Sequence, residues 1–299
     1  MYHRIACDSF DPWGLVVTPA RFEAQLAWLA EHREILRLSD FAARLINNDL
    51  PRRAVAITFD DGYECAADVA VPMLKRAGLP ATIFIPPHLI ADRRQFWWDE
   101  LRDLIFAYDG DTVVVADQPY PLGEMHASDR AWRPGYPPRT ARQSAFHRVW
   151  LALVDLPTRK IDTLMADLRR QCSHREMTLH VRPMSPAQVR KSARAPIEFG
   201  SHSLTHPRLS SLSSTEKRHE IVGSVEACER MTGSRPTTFA YPHGILDKES
   251  ITLVEEAGYT CACAAAGPSV NSRSSVFALP RMHVGDWTPR ELAHRLGAI

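Results

Sequence analysis

Apolar and polar positions along this chain alternate between two periods. Ala54-Val55-Ala56-Ile57-Thr58-Phe59 is a continuous, β-branched run, the pattern of a short strand buried on both faces. Residues 81–85, 237–241 and 259–264 read the same way, and Leu36–Leu38 and Ile197–Phe199 are shorter strands. Helical stretches separate them. One runs from Pro19 to Glu31, with Thr18 as N-cap and a proline in the first turn. Others cover 39–45, 66–77 closed by Gly78, a segment opening at Ser185-Pro186, 214–232 closed by Gly233, and 247–257 before Gly258. Strands alternating with helices predict a parallel sheet with right-handed crossovers.

Residues 92–184 break this alternation. A helix is predicted over 96–108, a hairpin over 112–116 and 118–122, and amphipathic helices over 144–156 and 158–172. The Pro- and Arg-rich stretch 130–142 reads as a loop. The whole is expected to be a largely helical insertion beside the mouth of an active site. Trp97 and Trp98 are read mainly as packing residues, with the lining of a binding subsite as the sharper alternative.

Candidate chemistry sits at strand ends. The 54–59 run stops at Asp60-Asp61-Gly62. Neighbouring strand residues point to opposite faces, so the pair must lie where the strand gives way to a loop. Two adjacent carboxylates repel unless a cation or proton separates them. A metal ion that takes one and leaves the other as a base resolves the repulsion. Ile197-Glu198-Phe199 leads into Gly200-Ser201-His202-Ser203-Leu204-Thr205-His206-Pro207. Histidines four apart share a face if the segment turns helically. Two imidazoles and one carboxylate, with positions left for water, make up a catalytic divalent-metal site. Spacing alone does not rank Asp60 against Asp61 as the ligand.

These motifs, with Phe239-Ala240-Tyr241-Pro242-His243-Gly244, resemble the polysaccharide deacetylase superfamily of carbohydrate esterases. The likeness spans residues 1–95 and 185–290. It implies an α/β fold: a distorted, incomplete (β/α)7 barrel forming one catalytic domain over 1–299, with 92–184 inserted in it. It implies Asp60 as general base and Asp61, His202 and His206 as ligands of a divalent ion. Zn2+ is expected, with Co2+, Ni2+ or Mn2+ as the other candidates. A backbone N–H near Tyr241 is expected to stabilise the oxyanion. Two positions depart from the family pattern. Ala240 stands where many members carry an arginine that holds the catalytic aspartate, and His243 stands at the usual tyrosine. Arg281 is the candidate for the missing cation. Met1-Tyr2-His3-Arg4-Ile5 resembles the Tyr-His element of the biofilm poly-N-acetylglucosamine deacetylases, whose barrel looks circularly permuted. That makes His3 the expected general acid and His283 the alternative.

The reading implied is a metal-dependent hydrolase that removes acetyl from an N-acetylated amino sugar or polysaccharide. Alternatives are an O-acetyl esterase, an N-deformylase, or a decayed carbohydrate-binding homologue. Composition changes little in this picture. The 299 residues are 45% hydrophobic with net charge +1, which gives no argument for nucleic-acid or membrane partners. No apolar run is long enough to span a membrane, and no signal-peptide pattern opens the chain. The six cysteines lack framework spacing, and Cys261 and Cys263 are read as buried free thiols. A cytoplasmic location is expected.

Overall fold

The computed structural model describes residues 1–133, 136–172, 181–265, 267 and 269–297. Residues 134–135 and 173–180 of the predicted insertion lie outside them. The chain forms two compact units. One comprises 1–7, 15–93 and 183–299; the other comprises 8–14 and 94–182.

The first unit is built on a parallel sheet of five strands: β1 (Thr58–Phe59), β2 (Ala81–Ile85), β3 (Ile197–Ser201), β4 (Thr238–Ala240) and β5 (Cys261–Cys263). They lie in chain order, each bonded to the next. Register places Phe59 opposite Ile83, Ile83 opposite Phe199, and Phe239 opposite both Ser201 and Ala262. Alternate residues therefore separate into two layers. Phe59, Ile83, Ile85 and Phe199 pack on helical residues such as Phe22, Leu26 and Leu74, each burial worth roughly 1.5–3 kcal/mol. Phe84, Ala240, Cys261 and Cys263 point the other way, onto Leu38, Ala42 and Leu45 of the helix Leu38–Ile46. Gly200 sits on this inner face because a Cβ there would come within 2.5 Å of Phe84 and of Thr238 Oγ1.

Both sheet edges are occupied. At β1, Tyr2 N–H donates to Thr58 O (2.8 Å) and Asp60 N–H to Tyr2 O (3.0 Å). At β5, Leu279 N–H donates to Ala262 O (2.8 Å) and Arg281 N–H to Ala265 O (3.2 Å). Val284 N–H then bonds Met1 O (2.9 Å). Residues 279–284 thus run from one edge of the sheet to the segment that covers the other edge. This is a curved parallel half-barrel with helices, and five strands form its continuous ladder.

Element boundaries differ from expectation where tertiary contacts intervene. The strand expected over 36–38 lies at Glu34–Leu36, paired with Ala54–Ala56. Leu38 instead opens a helix, its N–H directed at Thr82 Oγ1 (3.4 Å). The 54–59 run divides at Ile57, because its first half pairs with 34–36 and its second with β2. The 66–77 helix begins as a π-helical turn over Ala66–Ala70 before Val71–Ala77, and ends at Gly78 with φ 67°.

The second unit holds the helices Trp97–Ala107, Ala141–Leu153 and Thr158–Gln171 and an antiparallel hairpin, Thr112–Val115 with Gln118–Pro121. Ala116 and Asp117, both at positive φ, make its turn. Phe106, Phe146, Val113 and Leu168 form its core, to which Phe10 and Trp13 belong. Arg142 is buried and donates to the carbonyls of Ile105 (2.6 Å), Tyr108 (2.7 Å) and Gly123 (3.2 Å). Trp98 is buried and stacks on Phe96, while Trp97 meets it edge-on. The cysteines are free, and Cys261 and Cys263 are buried. Among the described residues no helix is long and apolar enough to cross a membrane.

Candidate active site

Asp60 still follows the ladder of β1, and the next residue leaves it. Asp61 has φ 70° and Gly62 φ 69°, so both carboxylates turn toward one side. A side chain at Gly62 would meet Ile85 Cγ2 at 2.7 Å, which leaves glycine as the residue that fits. On the neighbouring segment, His202 N–H donates to Ile85 O (3.0 Å) directly after β3. The two histidines do not share a helix face as the spacing suggested. Ser203 (φ 61°) and His206 (φ 59°) adopt left-handed backbone instead, and this folds the five residues back on themselves. Their rings end 4.6 Å apart.

Asp61, His202 and His206 form a buried group whose donor atoms lie within 4.8 Å of one another. Asp61 Oδ1 is 3.5 Å from His202 Nε2 and 3.3 Å from His206 Nε2. Charge-assisted hydrogen bonds would be shorter, about 2.7–2.9 Å. Tetrahedral bonds of about 2.0–2.1 Å to one ion put donors ~3.3 Å apart, close to what is seen. His202 Nδ1 lies 2.7 Å from Ala240 O. That bond places the ring proton on Nδ1 and leaves the Nε2 lone pair facing Asp61, the arrangement usual for ligating histidines. The donor set therefore fits a divalent ion. Burial, then the fields of His202 and His243, hold His206 well below the ordinary imidazole value, so it is neutral and able to ligate. For His202, burial is outweighed by Asp61 and Asp60, and its value is raised, so a metal ion at Nε2 would take the place of a proton that the two carboxylates favour there.

Asp60 faces a different partner. Arg281 Nη1 and Nη2 each reach one of its carboxylate oxygens at 2.7 Å. Arg281 is itself held by Ala264 O (2.9 Å) and lies over the Phe84 ring. Burial alone would raise the Asp60 carboxyl, but Arg281 and His202 outweigh it and hold the group below the usual carboxylate range. One carboxylate is thus fixed as an anion beside another that faces two imidazoles.

The family model for polysaccharide deacetylases matches residues 47–107 and 164–262 of this chain. The chain belongs to the polysaccharide deacetylase family. Among its relatives is the poly-beta-1,6-N-acetyl-D-glucosamine N-deacetylase of Staphylococcus aureus (strain MSSA476), 39% identical over 70 residues. That match covers 23% of this chain and 24% of the relative, so the chain is aligned with about a quarter of the relative's length. The fold extends further. The deacetylase PplD of Streptococcus pyogenes superposes with TM-score 0.64 at 16% identity, covering 99% of this chain and 96% of that one. IcaB from Ammonifex degensii gives 0.59 at 13% identity, covering 99% and 94%.

Within this deacetylase fold, the other sequence-derived candidates fall as follows. His3 and His283 come together, their rings meeting edge-on with centroids 5.1 Å apart. His3 Nδ1 and His283 Nε2 are buried and have no hydrogen-bond partner among the described residues. Burial lowers both. The fields of Asp61 and Asp60 act upward on His3, whereas His283 is pushed down to about 3 by burial and then by His3. Tyr241 requires a correction. Its backbone N–H donates to Cys263 O (3.1 Å) as a rung of the sheet, and its hydroxyl donates to Phe277 O (2.9 Å). That N–H is spent and does not face an acyl oxygen. His243 follows in the same turn at φ 58°, its ring 4.7 Å from that of His206. Sequence reasoning missed Glu220, whose carboxylate bonds the histidine loop. Nothing in the sequence distinguishes it from the other acidic residues of its helix.

Proposed function

We propose that this chain is a divalent-metal-dependent hydrolase that removes acetyl groups from an N-acetylated amino sugar within a polysaccharide. The observation that carries this reading is the pairing of a His-His-Asp donor set with a second carboxylate clamped by arginine. Two nitrogens and one oxygen favour Zn2+. An ion held by Asp61, His202 and His206 would supply Lewis acidity and lower the pKa of a bound water toward ~7.

Asp60 acts as general base. Its carboxylate is ionised, and Arg281 fixes both oxygens so that it cannot swing away. It takes a proton from water as the water oxygen bonds the acyl carbon. The carbon–nitrogen bond then breaks, and the departing amine takes a proton from an imidazole. We assign that acid to His3, whose ring packs against His283; burial lowers it, and the fields of the two carboxylates oppose that lowering. In this reading, residues 1–5 and 279–284 complete a seven-stave barrel and carry these two histidines into it. The expected effect of His3→Ala is a loss of turnover of about 10²–10⁴-fold with zinc content unchanged. His283→Ala should retain substantial activity. The reverse pattern in kcat would move the role to His283.

Acetate release from β-1,6-linked N-acetylglucosamine oligomers tests the activity. Release should cease in EDTA and return on adding Zn2+. Cleavage of O-acetylated sugars alone would make the protein an esterase. Binding without turnover on any acylated sugar would make it a carbohydrate-binding homologue.

A further inference from the structure

The loop between the two histidines is held from outside. Ser203 and His206 both take left-handed backbone, a region that side chains with a Cβ enter at a cost. Two such residues within four positions need an external restraint to persist.

Glu220 supplies one. It lies on the helix Ser214–Thr232 and is 8% exposed. Its Oε2 accepts the N–H groups of Leu204 (2.9 Å) and Thr205 (2.9 Å), and its Oε1 accepts the Thr205 hydroxyl (2.6 Å). A buried carboxylate is costly unless its charge is answered. No lysine, arginine or histidine pairs with Glu220 among the described residues, so loop donors carry that charge, as in an anion-binding nest. The same loop is gripped at two further points. Leu204 O accepts His88 N–H (3.1 Å), and the Leu204 side chain fills the space beside Gly223, where a Cβ would come within 2.9 Å of it.

We propose that Glu220 is a positioning residue for the metal site: its carboxylate fixes the loop in the shape that brings His202 Nε2 and His206 Nε2 onto Asp61. The inference rests on the metal-binding reading above. Glu220 acts through backbone, since its hydrogen bonds go to Leu204 and Thr205 rather than to an imidazole. Glutamine in its place keeps the size but carries no charge, and its amide nitrogen can meet the Thr205 hydroxyl only by donating to it.

Zn2+ affinity, measured on the whole chain by competition with a chromophoric chelator, reads this directly. The visible spectrum of the Co2+-loaded protein reads ligand geometry. Glu220→Gln should weaken Zn2+ binding about 10–100-fold, the usual effect of losing a support behind metal ligands, and should shift the Co2+ bands. Thr205→Val should produce a smaller loss in the same direction, and Thr205→Ser should restore wild-type affinity. A folded Glu220→Gln protein with wild-type affinity and spectrum would overturn the proposal. If Glu220→Gln does not fold, equal affinities for Thr205→Val and Thr205→Ser would overturn it. Failure of the wild-type protein to bind Zn2+ or Co2+ would overturn the metal reading and this inference together, whereas equal binding by wild type and variants would overturn this inference alone.

Discussion

Asp60→Asn should lower turnover by about 10²–10⁴-fold while leaving bound metal in place. Asparagine keeps the shape of the side chain and cannot accept the proton. The ligand group excludes Asp60: Asp61 lies 3.3–3.5 Å from the two imidazole nitrogens, while Asp60 approaches His202 Nε2 only at 3.9 Å. Metal content by atomic absorption and kcat at saturating substrate separate the two roles. Loss of metal from Asp60→Asn, with retention in Asp61→Asn, would exchange them.

The second large effect concerns stability. Arg281→Met should destabilise the protein by about 3–5 kcal/mol, because it strands a buried carboxylate without its partner. The Asp60–Arg281 pair is almost fully buried, so solvent cannot take over the role of the guanidinium. The effect has a pH signature. In the wild type the folded Asp60 carboxyl is depressed, so below the ordinary value of ~3.9 the unfolded chain binds the proton first. Its contribution is full above that value and is lost as pH falls. Without Arg281, burial dominates and the folded carboxyl rises, which reverses the sign: the variant loses stability as pH increases. The gap between the two proteins should therefore widen from pH 4 to pH 7 in urea titrations. Arg281→Met combined with Asp60→Asn should recover part of the loss, since no buried charge is then left alone. A double variant no more stable than Arg281→Met would refute the stranded-charge account. Activity of Arg281→Met should also fall, since a carboxyl that holds its proton is no longer a base.

Local chemistry explains why parts of this protein could be read from sequence. Strands β1 and β2 announce themselves because a parallel sheet buried on both faces needs unbroken apolar runs. Helix ends at Gly78 and Gly233 follow from left-handed C-caps, a conformation that depends on the residue itself. Ser185 and Ser213 cap their helices through side chains three residues away from their partners. The carboxylates and histidines at strand ends could be picked out because the two clusters together supply the oxygen and nitrogen donors of one divalent-metal site, whereas either alone suits a turn or a helix cap as well.

What the sequence determined by itself was the alternating α/β plan and the residues able to bind a metal, both set by interactions spanning a few positions. Tertiary structure decided how those residues are used. Arg281 meets Asp60 across 221 positions, and no local pattern encodes that pairing. Tyr241 lost its expected role because β5 claimed its N–H. The histidines converge through left-handed backbone that Glu220 holds in place from another helix, whereas their spacing alone suggested a helical turn. Residues 8–14 joined the second unit because Phe10 and Trp13 found their apolar partners there. In each case the deciding energy comes from burying a charge, a hydrogen-bonding group or a ring against a partner distant in the chain, and only the folded arrangement specifies that partner.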